Sequence, residues 1–433
     1  MKINLPSLKK MWLLFFMFIS IFQPPILPFS TLYLWGIFTL FLIAKERYWK
    51  LNLKIPRNNG TLYFYKALLL LSVYCVCICI IDIFSNDKSF LIVSIDRIRW
   101  LSRFWIMTPF ELLFIWYIHA QSIKKRLSRI DILDMLGHVG AIQGICAILA
   151  YIFPTIRTIF LFRHDDIMNS AYMFARRGYG LSGTLFDTFG YGMGLIAGII
   201  LLSDEITGYR KFMYILLSMI STILNARTGI VVFLIAVMLY FCRNKTITKI
   251  FFKSCLILVL IFLFLRYLAE PIISMMIRSH NATISWTGIA LKDVLAFSTG
   301  KIGVQEASFF SDFNTFPQGA DIIIGTGHGI FGGISKIIGF DSDVGYINML
   351  WEFGIIGCVY FFAVFLWLMR LAYMRVSYSE KVIIVFLVLA YFVVLTKAVL
   401  IGYNPGTIVT YIVMFSFIFL KQKEQNNMII THS

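Results

Sequence analysis

The chain has 433 residues, 59% of them hydrophobic and only 14% charged, and a formal net charge of +17. A soluble globular chain is nearer half apolar and a quarter charged, so this composition speaks against a soluble domain and for a polytopic membrane protein. The surplus of Lys and Arg excludes nothing until its position is known, because basic cytoplasmic loops give the same total as a nucleic-acid surface.

In chain order, Lys9 and Lys10 precede an apolar run as they would in a signal peptide. Pro24 and Pro25 follow that run with no small-residue cleavage site, so it reads as an uncleaved first span. Runs of the length a bilayer requires recur down the chain. They predict an all-α polytopic membrane protein of about 12 transmembrane helices, near 9–23, 27–44, 61–83, 98–120, 130–153, 187–203, 211–225, 228–242, 254–268, 345–369, 381–402 and 406–420. Cys75, Cys77, Cys79, Cys146, Cys255 and Cys358 lie inside these runs and Cys242 at the end of one. None has metal-site or redox spacing, so they read as small apolar residues.

Lys and Arg are denser in 1–10, 45–60, 121–129, 204–211, 243–253, 370–381 and 421–433 than in the short connections of the opposite face. Cytoplasmic loops carry that excess, so both termini are expected in the cytoplasm, and the charge is topological rather than a nucleic-acid footprint. The chain then divides into a first transmembrane region, 1–268, a long outward segment, 269–344, and a second transmembrane region with a cytoplasmic tail, 345–433. A further outward segment covers 154–186. Long ordered loops on one face are usually functional, whereas transporters keep loops short and place polar groups at mid-membrane.

Candidate chemistry gathers on the outward segments. Arg176 and Arg177 stand in FARRGYG, after the RHDD that carries His164, and Arg227 stands in NARTG at a tight turn between two spans. Guanidinium is planar, permanently charged and bidentate, so these three arginines point to an anionic, diphosphate-like ligand; snorkelling to lipid headgroups is the plainer alternative. Arg278 is a secondary candidate in the long segment. His328 sits in GTGHG, where glycines leave backbone N–H groups accessible. Arg103, Glu111 and Lys397 lie within apolar runs, where a charge needs a partner or water. Asp341 and Asp343 open DSDVGYINMLWEFGIIG. Asp343 reads either as a helix N-cap or as a carboxylate base at the membrane surface, and Gly354 and Gly357 form a G-x-x-G that lets a neighbouring helix approach closely.

These residues resemble the O-antigen polymerase and ligase superfamily. The ligase signature is similar to H-[N/S/Q]-x9-G-x-x-G; here Asp343 takes the place of the His, Val344 that of the polar residue, and Gly354 and Gly357 those of the glycines. NARTG at 225–229 is similar to the small-Arg-Gly turn of that superfamily. Asp343 in place of His turns the resemblance from the ligases toward the polymerase branch. The resemblance implies an inner-membrane glycosyltransferase that polymerises undecaprenyl-diphosphate-linked repeat units into O-antigen or a similar surface polysaccharide. The 269–344 segment would be periplasmic, Asp343 and then His328 the candidate bases, and Arg176, Arg177 and Arg227 the diphosphate ligands. No metal is expected, although Asp341 and Asp343 together offer a divalent-ion alternative. Lipid-linked glycans, membrane lipids and a chain-length regulator are the implied partners, and nucleic acid is not. A lipid-linked glycan flippase or other transporter, and the ligase itself, are the competing readings.

Overall fold

The computed structural model describes residues 8–25, 31–46, separate positions between 66 and 80, 106–161, 180–184, 186–225, 228–243, 269–279, separate positions between 284 and 292, 316–327, 344–396 and 404–420. Among these, helix is the only regular structure. In chain order the helices are α1 Leu8–Phe22, α2 Thr31–Lys45, α3 Thr108–Lys124, α4 Arg129–Ile152, α5 Pro154–Phe160, α6 Phe186–Leu202, α7 Gly208–Asn225, α8 Thr228–Cys242, α9 Ala269–Ile277, α10 Asp321–Ile324, α11 Gly345–Tyr373, α12 Tyr378–Val394 and α13 Pro405–Phe419. Helices α4 and α11 are long and apolar enough to cross a membrane.

The bounds differ from the sequence expectation in places. α3 continues to Lys124 rather than stopping near 120, and α11 reaches Tyr373 rather than 369. The apolar run near 254–268 lies outside the described residues. A short helix, α5, occupies the start of the 154–186 segment, with Pro154 in its first turn, where a missing N–H costs nothing.

Local chemistry fixes the helix starts. Ser128 and Asp131 form a reciprocal capping box on α4, and Ser377 and Glu380 form one on α12. On α13 the Asn404 side chain accepts the Thr407 N–H at 2.8 Å, followed by Pro405 in the first turn. Each such cap contributes about 1 kcal/mol.

Ion pairs gather the helix ends into two faces. At the basic end Lys10 pairs with Asp131 at 2.8 Å and Lys124 with Glu46 at 2.9 Å. Arg243 pairs there with Asp204, and Arg210 with Asp134 at 3.4 Å. Arg129, 7% exposed, ties this end together: it pairs with Glu380 at 3.2 Å and donates to the carbonyls of Leu420, Phe417 and Arg375. One cation thereby neutralises the carbonyl ends of α11 and α13, where the helix dipole favours positive charge. At the opposite end Gly183 donates to Phe22 O at 2.7 Å, Thr31 to Pro24 O at 2.6 Å, and the Tyr346 hydroxyl to Phe392 O at 2.6 Å. Starts and ends alternate between the faces, so the long helices run up and down.

The bundle is apolar outside and partly polar inside. Helix α7 buries Tyr214, Ser218, Ser221, Thr222 and Asn225, while Tyr209, Phe212, Leu216 and Ile223 are exposed. Helix α8 buries Gly229, Val232 and Ala236 and exposes Val231, Leu234, Met238 and Phe241. A helix on the surface of a soluble protein has the reverse arrangement. Small residues inside let backbones meet: a Cβ built on Gly229 would fall 2.2 Å from Gly190 O, and one on Gly194 2.4 Å from Gly229 O. Close packing of this kind, with polar residues as glue, is how helices associate where hydrocarbon is the solvent.

Candidate functional site

The end of the bundle opposite the basic face holds two constructions. The first is a break in α11. Gly354 has φ 59° and ψ −174°, so the helix stops after Phe353 and restarts in a new direction. Only glycine takes this conformation without strain. From the break to Tyr373 the helix is about 30 Å long at 1.5 Å per residue, which matches the hydrocarbon thickness of a bilayer. The preceding half-helix, 345–353, is fixed separately by Tyr346, whose N–H donates to Leu395 O at 3.2 Å.

A helix break frees carbonyls that must find other donors. Here residues 326–327 of the long 269–344 segment supply them. Thr326 donates to Trp351 O through its N–H at 2.6 Å and its hydroxyl at 2.9 Å, and Gly327 N–H donates to Glu352 O at 3.1 Å. Gly325, with φ 79°, lies against the break: a Cβ on it would be 2.5 Å from Gly354 N, and one on Gly354 2.3 Å from Ile323 O. Tyr74 completes the joint, its hydroxyl donating to Ile324 O at 2.9 Å and lying 3.4 Å from Phe353 O.

This corrects the reading of the G-x-x-G. Gly354 is not a smooth helical position that admits a neighbouring helix; its role is to break the helix and receive a loop. Gly357 does face a neighbour, since a Cβ there would be 3.2 Å from the Tyr74 ring, but also 2.5 Å from Phe353 Cβ of its own chain turn. The N-cap position of α11 is held by Val344 without a side-chain cap hydrogen bond, so Asp343 precedes the cap.

The second construction is the turn between α7 and α8. Thr228 donates its hydroxyl to the Asp187 carboxylate, which joins the start of α8 to the start of α6. Asn225, the last residue of α7, is 0% exposed, and neither its side-chain oxygen nor its nitrogen has a hydrogen-bond partner among the described residues. The bundle also holds a buried polar group. Glu111, 1% exposed, interacts electrostatically with Tyr411, which in turn interacts with Tyr191. The Tyr191 hydroxyl faces Thr410, and Tyr391 lies within electrostatic range of Tyr191, Tyr411 and Tyr346.

Of the residues singled out from sequence, Asp341, Asp343, His328, His164, Arg176, Arg177, Arg227, Arg103 and Lys397 lie outside the described residues. The described chain does reach their immediate neighbours: Gly327 before His328, Val344 after Asp343, and Asn225 and Thr228 on either side of Arg227. Arg278 is exposed at the end of α9, its N–H donating to Ser274 O at 3.2 Å. Sequence reasoning passed over Tyr74, Asp187, Thr326 and Glu352. Glu352 carried a usable signal, since it is a charge in an apolar run like Glu111. Tyr74 carried none, because its partners lie some 250 and 279 residues away. No family model, curated protein or solved structure matches the chain.

Proposed function

We propose that the protein is an inner-membrane glycosyltransferase that polymerises undecaprenyl-diphosphate-linked oligosaccharide repeat units into O-antigen or a similar surface polysaccharide. The observation that carries this reading is the docking of residues 325–327 into the Gly354 break. It ties the stretch of the long segment just before His328 to the helix that begins just after Asp343. Backbone-to-backbone bonds fix residues 325–327 against the broken helix. The exposed apolar faces of α7 and α8 support the membrane location. The basic face, carrying Lys10, Lys124, Arg129, Arg210 and Arg243, supports a cytoplasmic assignment for that end and for both termini.

In this reading the acceptor is a sugar hydroxyl of one lipid-linked unit and the donor is the glycan on another. The acceptor oxygen bonds to the anomeric carbon of the donor as the bond from that carbon to the diphosphate oxygen breaks. Undecaprenyl diphosphate leaves with the electron pair, and the hydroxyl proton passes to a base, Asp343 or His328. Arg176, Arg177 and Arg227 stabilise the charge growing on the diphosphate, which needs no metal. Polyprenyl tails lie between lipid-facing helices. Nucleotide sugars and nucleic acid have no part; a chain-length regulator is an expected partner.

The buried Glu111 favours a second reading, a transporter of lipid-linked glycans, because a carboxyl inside a bundle is a usual transport element. One experiment separates the two. Purified protein in liposomes with undecaprenyl-diphosphate-linked repeat units on one side should yield a ladder of longer glycans. Movement of single units across the bilayer with no ladder removes the polymerase reading.

A further inference from the structure

We propose that Glu111, with the hydroxyls of Tyr191, Tyr391 and Thr410, forms a buried site for one small monovalent cation, a proton or a sodium ion. The inference goes beyond the polymerase reading and stands whether that reading or the transport reading holds. Glu111 lies in the first turn of α3, 1% exposed, and its Oε1 has no hydrogen-bond partner among the described residues. Tyr411 of α13 is the hub of the group, within electrostatic range of Glu111 on α3, Tyr191 on α6 and Tyr391 on α12. The Tyr191 hydroxyl faces Thr410, the residue before Tyr411. Tyr191, Tyr391 and Thr410 are buried, and none of their hydroxyl oxygens has a hydrogen-bond partner among the described residues. Four helices thus bring a carboxyl and three unpartnered hydroxyls into one polar group inside an apolar bundle.

No cation among the described residues answers the carboxyl. Helices α1, α2 and α13 pack against α3. From α13 the titratable group facing Glu111 is Tyr411. From α2 it is Tyr33, whose ring lies 6.4 Å from that of Phe110, beside Glu111. The charged groups of α1 and α2 stand at the basic end instead, where Lys10 pairs with Asp131, and Glu46, just past α2, pairs with Lys124. On α3 itself Tyr117 and His119 follow about 9 and 12 Å further along the axis. Tyr346 of α11 is in range of Tyr391 and gives its hydroxyl to Phe392 O. Phenols are neutral at neutral pH, so they can donate to a carboxylate but cannot cancel its charge. Water would satisfy the hydroxyls and leave the same deficit. A lone carboxylate among lipid-spanning helices is costly, and one carboxylate needs one positive charge; a divalent ion would leave a surplus. Donors that are all oxygen suit a hard ion. A proton makes the carboxyl neutral and gives it an O–H to donate. Sodium would take the carboxylate and the hydroxyl oxygens as ligands.

The test treats the full-length protein in liposomes with dicyclohexylcarbodiimide, an apolar reagent that adds to protonated carboxyls, and reads Glu111 by peptide mass spectrometry. Wild type is compared from mildly acidic to mildly alkaline pH in choline chloride and in sodium chloride of the same ionic strength. A proton site is labelled at low pH and loses the label as pH rises, alike in both salts. A sodium site loses the label when sodium replaces choline, and its melting temperature rises in sodium. Thr410→Val should shrink that sodium effect, and Glu111→Gln should abolish it together with the label. Labelling that ignores both pH and sodium overturns the inference, because the acid is then permanently neutral packing. No label under any condition, with no sodium shift in melting, overturns it as well, because the carboxylate is then held by a fixed partner. None of these readouts uses a glycan. Wild type that builds no ladder but loses the label with pH or sodium removes the polymerase reading alone.

Discussion

Gly325 and Gly354 meet backbone against backbone, each with a positive φ, where residues 323–327 of the long segment pack against the break in α11. A Cβ on either would lie 2.5 Å from the main chain of the other. Gly354→Ala should therefore cost the strain of an essentially glycine-only backbone conformation, about 1–3 kcal/mol, and also push residues 323–325 away. Gly208→Ala is the control, because Gly208 has φ 67° and nothing within 4 Å of an added Cβ. Thermal unfolding in detergent should show a small drop for the control and a larger one for Gly354→Ala. Amide exchange at 323–327 should rise in Gly354→Ala alone. Unchanged exchange there would mean that the loop does not depend on the break.

At the other end of the bundle Arg129 joins Glu380 to three helix-terminal carbonyls. Replacing Arg129 with Met should destabilise by about 3–5 kcal/mol, the usual loss when one partner of a buried ion pair is removed. Arg129→Lys should recover only part of it, because an ammonium cannot reach carbonyls of α13 and the α11 end as a planar fork does. The melting temperature of detergent-solubilised protein measures both. Equal stability of the Lys variant and the wild type would show that charge alone, without the fork, holds this end.

Much of the fold is legible in the sequence because long apolar runs mark the helices, and α1, α4, α6, α7, α8 and α13 begin and end close to where those runs predict. The polar face of α7 is legible too, as Ser218, Ser221, Thr222 and Asn225 recur at helical spacing. The break at Gly354 is not. Its glycine reads as G-x-x-G packing, and the positive φ follows from contacts with Ile323 and Gly325, some thirty residues earlier in the chain. The clamp by Tyr74 depends on still more distant partners. Local propensity contains neither relation.

The Asp187–Thr228 bond holds the turn that carries Arg227. Thr228→Val keeps the shape of the side chain and removes the donor, which should cost about 1.5–3 kcal/mol for a hydrogen bond to a carboxylate. Thr228→Ser should behave as wild type. If the turn presents Arg227 to a diphosphate, Thr228→Val should also raise KM for the lipid-linked glycan, whereas kcat stays within a few fold. A melting curve and a liposome polymerisation assay read the two effects separately. A KM unchanged by Thr228→Val, together with a normal glycan ladder in Arg227→Ala, would detach this turn from substrate binding.

Asp343 reads from sequence as helix cap or surface base, and the two readings have different consequences. Val344 occupies the N-cap position and makes no side-chain cap hydrogen bond, so Asp343 stands one residue before it. If Asp343 does not cap the helix, Asp343→Asn should leave stability within about 0.5 kcal/mol of wild type; a loss of about 1 kcal/mol would mark it as a cap. As a base, however, the carboxylate cannot be replaced by an amide, because an amide accepts no proton at neutral pH. Cells carrying Asp343→Asn should make normal amounts of protein and a surface glycan of single repeat units, while Asp343→His keeps part of the ladder. A full ladder in Asp343→Asn would leave His328 as the base to be tested next and remove Asp343 from the chemistry.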